Sequence, residues 1–234
     1  MSIILAVKDD QDIVMACDGR VLASDLSVMS DDTPKTLALN HNLCLGLGGP
    51  TDAMELVLRA LGIKCAGAHP IDLLSECEEV YCPIDMEYCD ARDELAKVLQ
   101  WMLRRAPRSE HRSRVPVVLL AGTWSNSLGL CGYDYPTWLP DESPATGYSQ
   151  AVLGRIPDSG SCELTEFHDL VRGQTTAKAE SRLSCAVRFC ARYFGASGPV
   201  NETVFLRRYS EGFQLTRADR GENNRRPPRR VQEP

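Results

Sequence analysis

The residue whose type and position offer the most direct chemistry is Ser2. A serine hydroxyl is a weak nucleophile at neutral pH and needs a base within hydrogen-bond reach. A serine at a chain terminus carries its own. Once Met1 is removed, the α-amine, with a reference pKa of about 7.7–8.0, is partly neutral near working pH and takes the hydroxyl proton directly or through one water. The terminus must be free, because with Met1 retained the same nitrogen is an amide and no base. Ser2 is small, which permits removal of an initiator methionine, so no propeptide need be invoked. Attack on an amide carbonyl would give an acyl-enzyme at Ser2 that water releases. A serine in second position carries almost no information by itself, so its neighbours decide.

Other reactive residue types form weaker patterns. Ten cysteines stand at positions 17, 44, 65, 77, 82, 89, 131, 162, 185 and 190, with no CxxC pair, which reads as reduced thiols, several of them small buried apolar residues. The nearest approach to a metal cluster is Cys77, Cys82 and Cys89 with Cys65 and His69 upstream, but the spacing lacks the tight pairs of a zinc knuckle. Gly147-Tyr148-Ser149-Gln150-Ala151 departs from a nucleophile elbow at its fifth position, and only His168 follows as a base. No phosphate-binding loop, dinucleotide fingerprint or His-rich motif occurs, so neither an organic cofactor nor a metal is implied.

The elements that must hold any such group can be read in order. Residues 2–8 form an apolar β-rich run, Asp9-Asp10-Gln11-Asp12 breaks it, and 13–17 resumes it, predicting a hairpin that ends at Asp18. After a polar loop over 19–33, short strands are predicted over 35–39 and 43–47 across the turn-forming Asn40-His41-Asn42. Gly48-Gly49-Pro50 then opens a helix over 51–61, with Met54, Val57, Leu58 and Leu61 on one face and Asp52 and Glu55 in its first turn. Further helices are predicted over 71–80, 91–104, 164–172 and 176–193, the first two separated by a linker containing Pro83. Buried strands are predicted over 115–121 and 128–133, a proline-bearing loop over 135–144, and a last strand pair over 200–206 and 212–215. Strands grouped with strands and helices with helices exclude βαβ alternation and predict an α+β sandwich of antiparallel sheets covered by helical layers.

Ser2, Asp18-Gly19-Arg20, Lys35 and Gly48-Gly49 stand in an order and at spacings that resemble the proteasome β-type subunits and their bacterial HslV-type and Anbu-type relatives, which are N-terminal nucleophile hydrolases. In that family a nucleophile opens the first strand, an Asp-x-Arg follows the second, a lysine begins the third and a Gly-Gly pair precedes the first helix. Residues 117–122 look like its central apolar strand, and Gly195-Ala196-Ser197-Gly198 look like the small-residue turn before its last strand pair. The resemblance implies a four-layer αββα fold, a peptide or protein substrate and assembly into a homo-oligomeric ring; whether an ATP-dependent unfoldase serves such a ring is left open. It also implies roles. Lys35 would lie beside Ser2 and lower the pKa of its hydroxyl and amine, with Asp18 as the counter-charge a desolvated lysine needs. The Gly48 N–H would suit an oxyanion hole. Ser197 and Ser149 would be supporting hydroxyls. Arg20 would brace its loop or line the substrate cleft, together with Val21, Gly46 and Gly49.

Two positions depart from the family pattern. Phe194 stands three residues before Ser197, where the proteasome branch has an aspartate. Gly147-Tyr148-Ser149 aligns with a Gly-Ser-Gly stretch in which Ser149 serves only if the register slips by one. Three readings therefore stay open: a peptidase or amidohydrolase within a ring, a catalytically inactive structural subunit of such a ring, and an N-terminal nucleophile amidase or acyl-transfer ligase acting on small amides.

The totals bound the rest. At 234 residues one domain over 1–216 is expected, followed by a disordered basic tail over 217–234 in which six arginines face three carboxylates. With 43% hydrophobic and 25% charged residues, no membrane-length apolar run and no signal-peptide pattern, a cytoplasmic protein is expected. The net charge of −6 and a pI near 5.3 argue against nucleic acid as a partner.

Overall fold

The computed structural model describes residues 2–218 except 24–25, 64–84, 135–137, 145, 174 and 210–211. Residues 219–234, the predicted helix over 71–80, and Cys65, His69, Cys77 and Cys82 lie outside the described residues. Two five-stranded antiparallel sheets dominate. One has the order β10 (Ser149–Gly154), β1 (Ile3–Lys8), β2 (Ile13–Asp18), β11 (Val204–Tyr209), β12 (Phe213–Arg217). The other has the order β5 (Thr36–Asn40), β6 (Leu43–Gly48), β7 (Val117–Trp124), β8 (Ser127–Tyr133), β9 (Asp141–Glu142). A small hairpin, β3 (Val21–Leu22) with β4 (Val28–Ser30), stands apart from both.

Each sheet is buried on both faces, which is why β1 reads as an almost unbroken apolar run rather than an alternation. Ile3, Leu5 and Val7 pack outward with Val14 and Ala16 against α4 (Cys162–Val171) and α5 (Ala179–Phe194), through Phe167, Leu183 and Val187. Ile4, Ala6, Met15 and Cys17 face inward against Cys44, Leu119 and Ala121 of the second sheet. Leu43, Leu45 and Leu47 turn the other way, onto α1 (Thr51–Ala60) and α2 (Tyr88–Arg105). The layers are therefore helix, sheet, sheet, helix, the expected αββα sandwich. A short α3 (His111–Arg114) leads into β7. Inside the sandwich Arg207 of β11, only 4% exposed, crosses between the sheets, donating from Nε to Thr36 Oγ1 at 3.2 Å and from Nη2 to the Thr36 carbonyl at 3.0 Å. These bonds fix the first residue of β5 against the opposite sheet.

Several boundaries differ from expectation. The polar loop over 19–33 contains the β3–β4 hairpin, and α2 begins at Tyr88, a ring buried beneath Gly129 and Gly122. The region read as a failed elbow is β10, an edge strand of mixed exposure whose Ser-Gln-Ala start carries little apolar signal. The last strand extends through Arg217, which pairs with Phe205 and forms an ion pair with Asp32 at 2.8 Å, so the predicted tail begins inside the sheet. Residues 200–203 precede β11 rather than forming part of it. Among the described residues no helix is long and apolar enough to cross a membrane, and the seven described cysteines are free thiols.

Candidate active site

Four strand ends meet at one end of the sandwich: the start of β1, the end of β2, the start of β5 and the end of β6. Ser2, Asp18 and Lys35 are brought there, 6%, 0% and 4% exposed. Asp18 ends a strand whose apolar residues commit it to the interior, so its carboxylate must find donors without water. It has three. Oδ1 accepts from the Ile3 N–H at 3.0 Å, and Oδ2 accepts from the Arg20 N–H at 3.0 Å and from Lys35 Nζ at 2.8 Å. Lys35 also donates to the Arg20 carbonyl at 2.5 Å, so two of its three ammonium protons are fixed in direction. The Lys35 backbone is anchored as well. Its N–H donates to Cys17 Sγ at 3.2 Å, and its carbonyl accepts from Leu47 N–H at 2.9 Å. Burial pushes the Cys17 thiol up to about 11, which keeps it protonated, and its sulfur serves as the acceptor for the Lys35 N–H.

Ser2 is fixed by its own backbone. Its carbonyl accepts from Arg155 N–H at 2.9 Å, just beyond the end of β10. This close approach requires glycine at position 154, where φ is +91° and a Cβ would lie 2.0 Å from the Ser2 carbonyl oxygen. Gly48 faces the side chain: a Cβ there would sit 3.1 Å from Ser2 Cβ and 3.4 Å from Ser2 Oγ. A hydrogen in that place leaves the serine hydroxyl open on one side. A cavity of about 40 Å³, enough for a water but not for a substrate in its present form, is lined by Ser2, Arg20, Val21, Thr33, Lys35 and Met54, with Leu22, Leu47, Gly49 and Thr51 completing it. Lys35 and Arg20 are its charged members. A larger open groove of about 460 Å³ lies away from this chemistry, along β10 and the β8–β9 edge, and holds Asp134, Asp141 and Ser149.

Arg20 is both a wall of the cavity and a brace. Its guanidinium takes Asp31 with Nε at 2.7 Å and Nη2 at 3.1 Å, and Nη1 donates to the carbonyls of Ala196 at 2.6 Å and Gly198 at 2.9 Å. The Arg20 hydrogen bond holds the half-exposed Asp31 carboxyl below its ordinary range, and the same bond raises Arg20.

Of the residues singled out in the sequence, Ser2, Asp18, Lys35, Gly48, Arg20, Val21 and Gly49 therefore share one site. Three do not join it as expected. Ser149 opens β10 opposite Lys8, whereas Ser2 meets the other end of that strand, about 17 Å away at a rise of ~3.4 Å per residue. The alignment failed because a weakly patterned edge strand gave no register. Gly46 faces inward, its missing Cβ directed at Ile4, Leu119 and Met15, so it belongs to the core rather than the cleft. Ser197 is exposed, and its turn reaches the site through backbone carbonyls on either side of it. Sequence reasoning missed Thr33, Leu47, Thr51, Met54, Asp31 and Asn201. Thr33 was within reach, two residues before Lys35; Asn201 joins the loop from 182 residues away and had no local signal. Of the proposed metal set only Cys89 is described, half-buried on α2.

No family model matches the chain, and no curated protein matches it. Among solved structures it is similar to Anbu (ancestral beta-subunit) from Yersinia bercovieri, with a TM-score of 0.62 and 16% identity over 92% of this chain and 86% of that one. At that identity the likeness establishes the fold.

Proposed function

We propose that this chain is an N-terminal nucleophile peptidase or amidohydrolase with Ser2, freed by loss of Met1, as nucleophile, working in a cytoplasmic ring of its own copies. The observation that carries this is the Lys35 ammonium, buried, neutralised by Asp18 and lining the same small cavity as Ser2. A cation held this way favours the neutral form of a nearby amine and the anionic form of a nearby hydroxyl. The free Ser2 amine takes the hydroxyl proton, Oγ attacks the substrate carbonyl, and the amine returns the proton to the leaving nitrogen, leaving an ester on Ser2. The same amine then activates the water that releases the acid. The open face at Gly48 is where the carbonyl approaches, with the Gly48 N–H as donor to the developing oxyanion. The likeness to Anbu, an ancestral beta-subunit, supports the reading at the level of fold.

A second reading, a ring subunit that has lost turnover, is favoured by one set of observations: Phe194 replaces the assisting aspartate, Ser149 is far from Ser2, and the Ser197 hydroxyl faces solvent. Intact mass spectrometry before and after an epoxyketone or β-lactone probe separates the two. Loss of Met1 and a covalent adduct on Ser2, absent from Ser2→Ala and Lys35→Ala, is the expected result. A free Ser2 that no probe labels would establish the inactive subunit. A native mass equal to one 25.9 kDa chain would remove the ring.

A further inference from the structure

We propose that Asn201 and Asp31 are positioning residues for Lys35, acting through the Gly19–Arg20 backbone; as a statement about catalysis this rests on the reading above. The two acceptors that orient the Lys35 ammonium are Asp18 Oδ2 and the Arg20 carbonyl. One closes β2 and the other lies two residues beyond it, where the chain leaves the sheet. What holds it comes from elsewhere. Asn201, 8% exposed, accepts from the Gly19 N–H through Oδ1 at 3.0 Å and donates through Nδ2 to the Asp31 carbonyl at 2.7 Å. Thr33 N–H closes the loop onto the Gly19 carbonyl at 3.0 Å. The Asp31 side chain grips Arg20 with both oxygens, while the other arm of the guanidinium binds the Ala196 and Gly198 carbonyls.

The connections therefore run from Asn201 to Gly19 and Asp31, from Asp31 to Arg20, and from the Arg20 carbonyl to Lys35. An amide at 201 is suited to this because it presents one acceptor and one donor in a plane, one for each side of the gap it bridges. The arrangement also gives the late turn a use although its serine is exposed and an aspartate is lacking at 194: the turn supplies carbonyls to Arg20 rather than a hydroxyl to Ser2. Buried polar networks of this kind are satisfied as a unit, so loosening one member shifts the rest.

The test reads Lys35 directly and Ser2 separately. In the full-length protein labelled with 15N lysine, the Lys35 ammonium should give a slowly exchanging resonance, assigned by its absence from Lys35→Arg. In Asn201→Ala that resonance should lose protection from exchange, with Asp31→Asn, which keeps one acceptor, falling between that variant and the parent. All spectra are taken well below each variant's melting temperature. Alongside, the rate of β-lactone labelling of Ser2 is measured against pH. Asn201→Ala should lower it roughly 10- to 100-fold, as small misplacements of a catalytic group do, and move the apparent pKa of the profile upward. An unchanged ammonium resonance in Asn201→Ala overturns the proposal, and so does a changed resonance with an unchanged labelling profile. A parent protein that is never labelled, but whose ammonium responds to Asn201→Ala, removes the hydrolase reading and leaves the positioning network standing.

Discussion

Replacing Lys35 by alanine should cost both turnover and stability. The Lys35–Asp18 pair is separated by 2.8 Å, with side chains 6% and 0% exposed. Removing one partner of such a pair leaves an uncompensated buried charge and costs about 3–5 kcal/mol. Asp18 keeps two backbone donors, from Ile3 and Arg20, so the lower end, about 3 kcal/mol, is expected. For a domain of this size roughly 2–4 °C of melting temperature accompanies each kcal/mol, which gives a fall of about 6–12 °C by calorimetry at pH 7. A double variant, Asp18→Asn with Lys35→Met, should melt higher than Lys35→Ala, because replacing both charges removes the desolvation cost that losing one exposes. Neither variant should be labelled at Ser2. A Lys35→Ala protein that melts within about 2 °C of the parent would refute the reasoning, since a charge that can be orphaned without penalty is not buried against its partner.

Three further outcomes are expected. Gly48→Ala should change the melting temperature by less than about 4 °C while reducing Ser2 labelling at least roughly tenfold, because the new methyl meets only a few close atoms but lies over the hydroxyl; a fully active Gly48→Ala would show that the carbonyl approaches from elsewhere. Gly154→Ala should be much more damaging, with a Cβ 2.0 Å from the Ser2 carbonyl at a positive φ, and a soluble variant with parental melting would contradict the packing of β10 on β1. For acid dependence, Asp31 has its folded pKa below the ordinary aspartate value of about 3.9, so its ion pair with Arg20 contributes fully above that value and is lost as pH falls through the lower folded one. The melting temperature should accordingly fall more steeply with acid below about pH 4 in the parent than in Asp31→Asn.

The part of the site that could be read from the chain lies in its first fifty residues, where strand patterning and polar punctuation coincide. Asp18 and Lys35 each sit at the end of an apolar run, so strand geometry alone places them at one edge of the sandwich. The fold class was legible for the same reason: sheets buried on both faces give apolar runs that stand out from the loops. What was not legible depended on pairing at long range. β10 carries a polar start and mixed burial, and only its contact with β1 gives it a register. The resemblance aligned Gly147-Tyr148-Ser149 with the supporting-serine stretch, whereas the residues that meet Ser2 are Gly154 and Arg155. Asn201 and Arg207 have the same character. Each is a polar residue whose partner belongs to a distant strand or loop, and no local pattern announces it.

The contact between Arg20 and the carbonyls of Ala196 and Gly198 spans 176 and 178 positions of the chain. A ribosome adding roughly 5–20 residues per second makes Arg20 about 9 to 35 seconds before its partners exist. β2 waits a similar time for β11, its neighbour in the sheet. Ser2 and Lys35 are thus made well before Asn201 and the 196–198 turn whose contacts complete the network around them. The Asp18–Arg20 segment therefore has its full set of partners only once the last strands are made, and the delay is set by where the parts lie along the sequence.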